Sequence, residues 1–152
     1  MVEIAYMSYR ADVTDRECED IAQRVRDIVG WQHKPDVIEN WKSDAHIACV
    51  GPQPDELLGL GAFVRTFHII LRPNKSVHRH QHDWDSVIFF PEDHPIPLRL
   101  ENPDGSVVTV ETERGKVVRF PIGAWHWVDR NESDRDRLTV VGQLPTTNKE
   151  TA

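Results

Sequence analysis

Sulfur and long apolar runs are both scarce in this 152-residue chain, which has two cysteines and two methionines. Cys18 and Cys49 form no C-x-x-C pair, and although one disulfide stays open, this usage favours a reducing cytoplasm. The longest apolar runs, such as residues 87–91, are far too short to cross a bilayer, so no membrane association is expected. The first residues lack a basic start followed by an apolar stretch, so no signal peptide is expected either.

Clusters of basic residues are also missing. The chain has 18 Lys and Arg against 25 Asp and Glu, which gives a formal net charge of −7. Proteins that bind phosphate backbones usually present a basic face, so nucleic acid is not an expected partner. Hydrophobic residues make up 39% of the chain and charged residues 28%, which is typical of one soluble globular domain.

One helix is predicted near the N-terminus. Thr14 and Glu17 have the spacing of a capping box, with Thr14 as the N-cap. An apolar stripe at helical spacing follows, and Gly30 is a suitable stop. The stripe consists of Cys18, Ile21, Ala22, Val25, Ile28 and Val29. One stripe means one buried face, so we expect this helix to pack on the outside of a larger structure.

Short strands are predicted from Gly61 onward, after an irregular stretch at 31–60 that contains one candidate strand at 45–50. Turn residues at 102–105 and 113–115 separate some of them. The strands are expected at 62–71, 78–90, 96–101, 106–112, 116–120, 125–129 and 137–144. The mixed-charge stretch 129–137 is interpreted as a solvated turn. Many short strands at this spacing indicate a sandwich or a closed barrel.

Histidine is abundant, with eight in the chain and three of them alternating at His78, His80 and His82. Alternate residues of a strand project from the same face, so two of these imidazoles can hold one metal ion. The alternative is an exposed, polar, His-rich strand edge. The alternation by itself does not decide between the two.

A second ordered pattern lies downstream, where Gly115, Pro121, Gly123 and His126 combine turn residues with another histidine. This pattern resembles the second sequence motif of the cupin superfamily, G-x5-P-x-G-x2-H-x3-N, at four of its five fixed positions. The fifth position falls on Arg130, and an asparagine follows one residue later. That departure affects the end of the turn rather than the histidine.

The first cupin motif, G-x5-H-x-H-x(3,4)-E-x6-G, fits the histidine cluster in two registers. In the preferred one, His80 and His82 form the pair, Asn74 and Asp93 take the two glycine positions, and Ser86 takes the glutamate position. In the other, His78 and His80 form the pair, with Asp85 as the carboxylate. Strand parity favours the first register, because residues 80, 82 and 86 of a continuous strand share a face.

The resemblance implies an all-β fold: a cupin β-barrel (double-stranded β-helix or jelly roll) with an N-terminal amphipathic helix. Residues 1–60 would form the helix and an irregular extension packed on the barrel, residues 61–144 the cupin barrel, and residues 145–152 a polar tail. The metal ligands would be His80, His82 and His126, with His78 and Asp85 as the other candidates. Asp85 would serve as a fourth ligand or as a partner that fixes a histidine tautomer.

A carboxylate-free set of three histidines resembles the site of thiol and diketone-cleaving dioxygenases within the superfamily. It implies one divalent metal ion, with Fe(II) favoured and Mn, Zn or Ni as alternatives. We expect an enzyme acting on a small organic acid or carbonyl compound, with dioxygenase chemistry favoured and no catalytic residue assigned beyond the ligands. A metal-dependent lyase or isomerase, and a non-catalytic ligand-binding cupin, are the alternatives. A small-molecule substrate and a homodimer are the expected partners.

A few further side chains are candidates for secondary roles. His68, His78 and Asp85 are candidate proton-transfer groups for lyase or isomerase chemistry. Arg65 and Arg119 would reach a substrate carboxylate if their side chains faced inward. Trp84, Trp125 and Trp127 flank the proposed ligands. We expect each of them to pack against neighbouring side chains rather than to line the substrate pocket.

Overall fold

Two antiparallel sheets form the body of the protein. The computed structural model describes residues 6–31, 46–53 and 63–145, with side chains described for residues 6–27 and 63–145. The elements in chain order are β1 (Met7–Arg10), α1 (Asp15–Trp31), β2 (His46–Gln53), β3 (Phe63–Leu71), β4 (Val77–His80), β5 (Ser86–Phe89), β6 (His94–Glu101), β7 (Val107–Thr112), β8 (Lys116–Phe120), β9 (His126–Val128) and β10 (Arg137–Gln143).

The sheets have six and four strands, in the orders β1-β8-β5-β10-β3-β2 and β4-β9-β6-β7. This confirms the predicted all-β class with one N-terminal helix. The sheets do not close on each other through strand pairing within the described residues, so the architecture is an open double-sheet jelly roll rather than a sealed barrel.

The main core fills the space between the two sheets. Large side chains of the six-stranded sheet, such as Phe67, Phe90 and Phe120, pack there against Leu98 and Leu100 of the four-stranded sheet. Successive strand residues face opposite ways, so β3 and β5 send their other side chains to the outer face. Both strands are therefore largely apolar and buried on both faces.

Helix α1 covers that outer face. Its predicted stripe residues Cys18, Ile21, Ala22 and Val25 are buried against the sheet. The capping box forms as predicted: the Thr14 amide donates to Glu17 Oε1 at 2.8 Å, and the Glu17 amide donates to Thr14 Oγ1 at 3.1 Å. Cys18 is a free, buried thiol, so it forms no disulfide.

The predicted strand 78–90 is wrong as a single element. It is two strands, β4 and β5, which lie in different sheets and are joined by residues 81–85. Strand parity therefore does not carry from His80 to Ser86, because the chain crosses between the sheets at this point. Ser86 begins β5 in the six-stranded sheet, whereas His80 ends β4 in the four-stranded sheet.

Strands from the first third of the chain take part in the six-stranded sheet. β1 pairs with β8, and β2, which includes most of the candidate strand at 45–50, pairs with β3. The domain boundary at residue 60 remains a prediction, although these two strands lie before it. No helix in the described part of the chain is long and apolar enough to span a membrane.

Candidate metal centre

Three histidines converge between the sheets, although they come from two separate segments. His80 ends β4, His126 begins β9, and the two are Cα partners in the four-stranded sheet. His82 lies just beyond β4. One ring nitrogen from each of the three lies within 4.8 Å of the others. The ring centroids are 4.1 Å apart for His80 and His126, 4.8 Å for His80 and His82, and 5.0 Å for His82 and His126.

Backbone hydrogen bonds set the tautomer of two of these rings. His80 Nδ1 lies 2.7 Å from the His78 carbonyl oxygen, and His126 Nδ1 lies 2.9 Å from the Ala124 carbonyl oxygen. A carbonyl oxygen only accepts, so each Nδ1 must carry the hydrogen and donate it. The proton-free Nε2 is then the atom that could bind a metal ion, as in many protein metal sites.

Burial keeps all three rings neutral. Desolvation lowers the pKa of His80 to about 4, and desolvation together with the charges of His80 and Arg65 lowers the pKa of His82 to about 3. His126 is only 4% exposed, and its pKa is likewise well below the usual value because of burial and the other two histidines. Neutral imidazoles are the form that binds a metal. The three histidines can therefore hold a metal ion.

The turn before His126 is hydrogen-bonded to the connection between β4 and β5. Gly123 has a φ of 83°, a left-handed conformation that glycine adopts at little cost. Its amide donates to the His82 carbonyl oxygen at 3.0 Å, and the Ile122 amide donates to Asp85 Oδ1 at 2.8 Å. These two hydrogen bonds join the Pro-x-Gly turn to the connection that carries His82, and so place His82 close to His126.

Asn131 closes the other end of β9. Its side chain is fully buried and donates to the carbonyl oxygens of Leu71 at 3.0 Å and Arg135 at 2.8 Å. Its Oδ1 accepts from the Ser133 amide and hydroxyl. Arg130, which takes the asparagine position of the motif by spacing, is exposed. The turn is therefore held by an asparagine one residue later than the motif places it.

The two turn positions of the first motif behave differently. Asn74 has a φ of 69°, as expected for a residue in place of glycine. Asp93 is not among the described residues with a positive φ. It instead accepts a 2.7 Å hydrogen bond from the Arg114 amide through Oδ1, so it serves the turn through its side chain.

The structure keeps the other predicted ligands out of the histidine group. The His78 side chain is exposed, and this residue supports the site through its carbonyl oxygen. The Asp85 carboxylate accepts from the Ile122 amide. Ser86, at the glutamate position, is 1% exposed, and none of the described residues forms a hydrogen bond with its Oγ. No carboxylate stands beside the three histidines within the described residues.

A mostly apolar cavity adjoins the three histidines. Both sheets line it, with side chains that include Ile69, Leu71, Ile88, Leu98 and Val141. Two polar side chains of β10, Arg137 and Thr139, complete the lining. Apart from the histidines, the cavity offers few groups that hydrogen-bond a ligand, and one of them is a full positive charge.

Arg137 is the site residue that sequence reasoning missed, because the stretch 129–137 was interpreted as a solvated turn. Arg137 is 3% exposed and begins β10. Its spacing to Thr139 was the available signal, because the two residues lie on the same face of a predicted strand. An arginine at the first position of a strand is ordinarily exposed, so the signal is weak without the structure.

The remaining predicted residues divide between the cavity and the surface. Trp84 stacks on His82 with ring centroids 4.0 Å apart, and Trp127 lines the cavity although a packing role was expected. Trp125 lies beneath Arg79 at 4.0 Å. His68 is fully buried on the sheet face that α1 covers, away from the metal centre. It is not a proton-transfer group for this cavity.

No family model matches the sequence, and no curated protein matches it either. Among solved structures, a Pseudomonas putida prolyl-4-hydroxylase superposes with a TM-score of 0.71 at 17% identity, over 94% of each chain. The non-heme α-ketoglutarate-dependent carbocyclase SnoK superposes with a TM-score of 0.66 at 11% identity, over 91% of this chain and 78% of that one. Lactobacillus farciminis oxalate decarboxylase gives 0.51 at 16% identity, over 72% of this chain and 32% of that one.

These similarities and the two sheets define the class: a small jelly-roll protein in which three histidines could hold a metal ion. The chain has the fold of the cupin superfamily, as its two motifs predict. At these identities the likeness concerns the fold, and the chemistry has to be argued from the residues.

Proposed function

We propose that this protein is a metal-dependent enzyme that binds a small organic acid and uses molecular oxygen. The observation that carries the proposal is Arg137, a buried cation with no acidic partner among the described residues, in the same cavity as three neutral histidines. Its pKa is lowered to about 10 by burial, so the side chain still carries its charge at neutral pH.

The hydrogen bonds of Arg137 all go to neutral acceptors. Its Nε donates to the Ile96 carbonyl oxygen at 3.0 Å, and its two terminal nitrogens donate to the hydroxyls of Thr139 and Thr112 at 3.1 Å each. No ion pair involves Arg137 within the described residues. A guanidinium has five N–H donors, so these bonds leave donors for a ligand. An unpaired buried charge is costly, and a ligand carboxylate would compensate it.

The three histidines, His80, His82 and His126, would hold one divalent metal, for which we favour Fe(II) over Mn, Zn or Ni. All three are neutral, so the protein supplies no negative charge and an anionic, chelating ligand is favoured. A divalent iron bound there would supply the redox chemistry that oxygen activation needs. The residues' own contributions are to anchor a carboxylate at Arg137 and to exclude water with the apolar lining.

α-Ketoglutarate is the candidate acid that these features fit best. It has a 2-oxo acid group for a metal and a second carboxylate for Arg137. The carbocyclase SnoK and the epimerase SnoN, both similar in fold to this chain, are described as dependent on it. The dependence on α-ketoglutarate is a property of SnoK and SnoN. For the present protein, the reason to test α-ketoglutarate is Arg137.

Lyase or isomerase chemistry is less favoured by the cavity. Such reactions need a proton-transfer group beside the substrate. The described lining contains no carboxylate, lysine or tyrosine, and its polar members are the three histidines, Arg137, Thr139 and the indole of Trp127. His78, His68 and Asp85, the proton-transfer candidates from the sequence, do not line the cavity.

The test is oxygen consumption by protein reconstituted anaerobically with Fe(II) and then mixed with α-ketoglutarate, oxygen and ascorbate. Oxidative decarboxylation would give succinate and CO2, with one oxygen atom in the new carboxylate. Without a second substrate, ascorbate would reduce the other oxygen atom to water. We expect Arg137→Met to lose this activity and Arg119→Met, on the opposite sheet face, to keep it. No oxygen consumption with α-ketoglutarate, thiols, diketones or catechols would rule out dioxygenase chemistry.

A further inference from the structure

We infer that a second anion-binding subsite lies at the rim of the same cavity, formed by Ser86, Gln143 and Arg65, here called the rim row. The row would take the carboxylate of a second substrate with a flat apolar body. This inference extends the proposed function by adding a second substrate to the small organic acid. The inference depends on the pairing register of β3, β10 and β5, which places the hydrogen-bond donors of the three side chains next to one another.

The three residues are direct cross-strand neighbours. Gln143 of β10 pairs with Arg65 of β3 on one side and with Ser86 of β5 on the other. Directly paired residues of antiparallel strands project to the same face. That face is the inner one, because Val141 and Ile88, two residues along from Gln143 and Ser86, line the cavity. The rim row therefore continues the cavity lining toward the edge of the sheet.

The row presents hydrogen-bond donors. Arg65 Nε donates to Gln143 Oε1 at 2.7 Å, which occupies the amide oxygen and leaves the amide hydrogens available. The Ser86 hydroxyl is buried and has no hydrogen-bond partner among the described residues. Buried polar groups in folded proteins are normally paired, so this hydroxyl needs an acceptor. Arg65 enters no ion pair within the described residues, so the guanidinium charge also lacks an acidic partner there.

Stacked rings join the rim row to the metal centre. The Arg65 guanidinium lies 5.4 Å from the Phe67 ring centroid, and Phe67 stacks on Trp84 at 5.8 Å. Trp84 in turn stacks on His82 at 4.0 Å with an interplanar angle of 12°. These rings cover one another, so a flat apolar group would lie instead against the apolar cavity lining next to the row, at Ile88 and Val141.

The row is too far from Arg137 to share one small diacid with it. Arg137 and Gln143 stand six residues apart at the two ends of β10, which is about 20 Å at the usual rise per strand residue. The cavity-lining residues Thr139 and Val141 lie between them. A five-carbon diacid does not span that distance. Arg137 in the cavity and Arg65 beyond its lining are therefore suited to two different ligands.

The experiment uses calorimetric titration of the 152-residue protein with three probes: succinate, phenylacetate and phenylacetamide. We expect phenylacetate to bind at least roughly 10-fold more tightly than its neutral amide, as charge-assisted hydrogen bonds would give. Arg65→Met should remove this preference, and Ser86→Ala should weaken phenylacetate binding several-fold. Arg119→Met is the matched control, because Arg119 pairs with Val87 and projects to the outer face. It should leave all three affinities unchanged.

Several outcomes would overturn the rim row. These are equal binding of phenylacetate and phenylacetamide, insensitivity of phenylacetate binding to Arg65→Met, and loss of that binding in Arg137→Met. The proposed function is tested separately, because succinate binding should require Arg137 and not Arg65. If Arg65-dependent phenylacetate binding occurs in a protein that consumes no oxygen, the rim row stands and the dioxygenase proposal fails.

Discussion

Replacing Arg137 with methionine distinguishes a ligand-binding arginine from a structural one. Burial lowers the pKa of Arg137 to about 10, which corresponds to about 3 kcal/mol of unfavourable charge burial. Its three hydrogen bonds come from a charged donor and contribute about 1.5 kcal/mol each, at the lower end for charged groups. Together they exceed the cost of charge burial slightly, and methionine keeps most of the apolar stem. We therefore expect Arg137→Met to lower the free energy of unfolding by about 1–2 kcal/mol.

Urea denaturation followed by circular dichroism measures this, with and without succinate. Succinate at 100 times its dissociation constant should stabilise the wild-type protein by about 2.7 kcal/mol and leave the variant unaffected. Arg137→Lys keeps the charge without the planar fork, so it should respond to succinate only in part. A loss of 3 kcal/mol or more in Arg137→Met, together with no effect of succinate on the wild type, would show that Arg137 serves the fold alone.

Substitutions at His68 and Asn131, with Arg130→Ala as a comparison, test the role of buried polar groups outside the cavity. His68 is fully buried, and neither ring nitrogen has a hydrogen-bond partner in the part of the chain that the structure describes; burial lowers its pKa to about 4. A depressed histidine pKa means that the unfolded state binds the proton first, so stability falls as the pH drops from 6.5 toward 4. Between pH 7 and pH 4.5 the free energy of unfolding of the wild type should fall by about 2–3 kcal/mol more than that of His68→Leu. Equal falls in the two proteins, measured by urea denaturation, would refute this. Asn131→Ala should cost about 3 kcal/mol in the same assay, because it leaves buried carbonyl groups unpaired. Arg130→Ala should leave the free energy of unfolding nearly unchanged. A larger loss in Arg130→Ala than in Asn131→Ala would mean that Arg130 fills the asparagine position of the motif.

Most elements of the fold could be predicted because their signals are local. The capping box at Thr14 and Glu17 begins the helix, and turn residues such as Gly105 and Gly115, with φ of 90° and 86°, separate the strands. The strand 78–90 was predicted wrongly because the crossing at 81–85 has no turn glycine or proline to mark it. Sheet order, and the pairing of β1 with β8, depend on contacts between distant segments and have no local signal.

The candidate site was predictable only in part. Motif spacing singled out His80, His82 and His126, and the structure brings these three together, while their role as metal ligands stays a proposal. Arg137 and Arg65 depend on which face of a strand each side chain takes and on which strands lie alongside. Those properties follow from register across the sheet. The predicted homodimer and cytoplasmic location also stay predictions.

Metal analysis of matched histidine variants tests the central claim most directly. Purified protein reconstituted anaerobically with Fe(II) and desalted should contain one metal ion per chain by elemental analysis. His126→Ala should contain almost none, whereas His78→Ala should match the wild type, because His78 supports the site through its backbone carbonyl. Stoichiometric metal in His126→Ala, or loss of metal in His78→Ala with His82→Ala unaffected, would contradict a centre built from His80, His82 and His126.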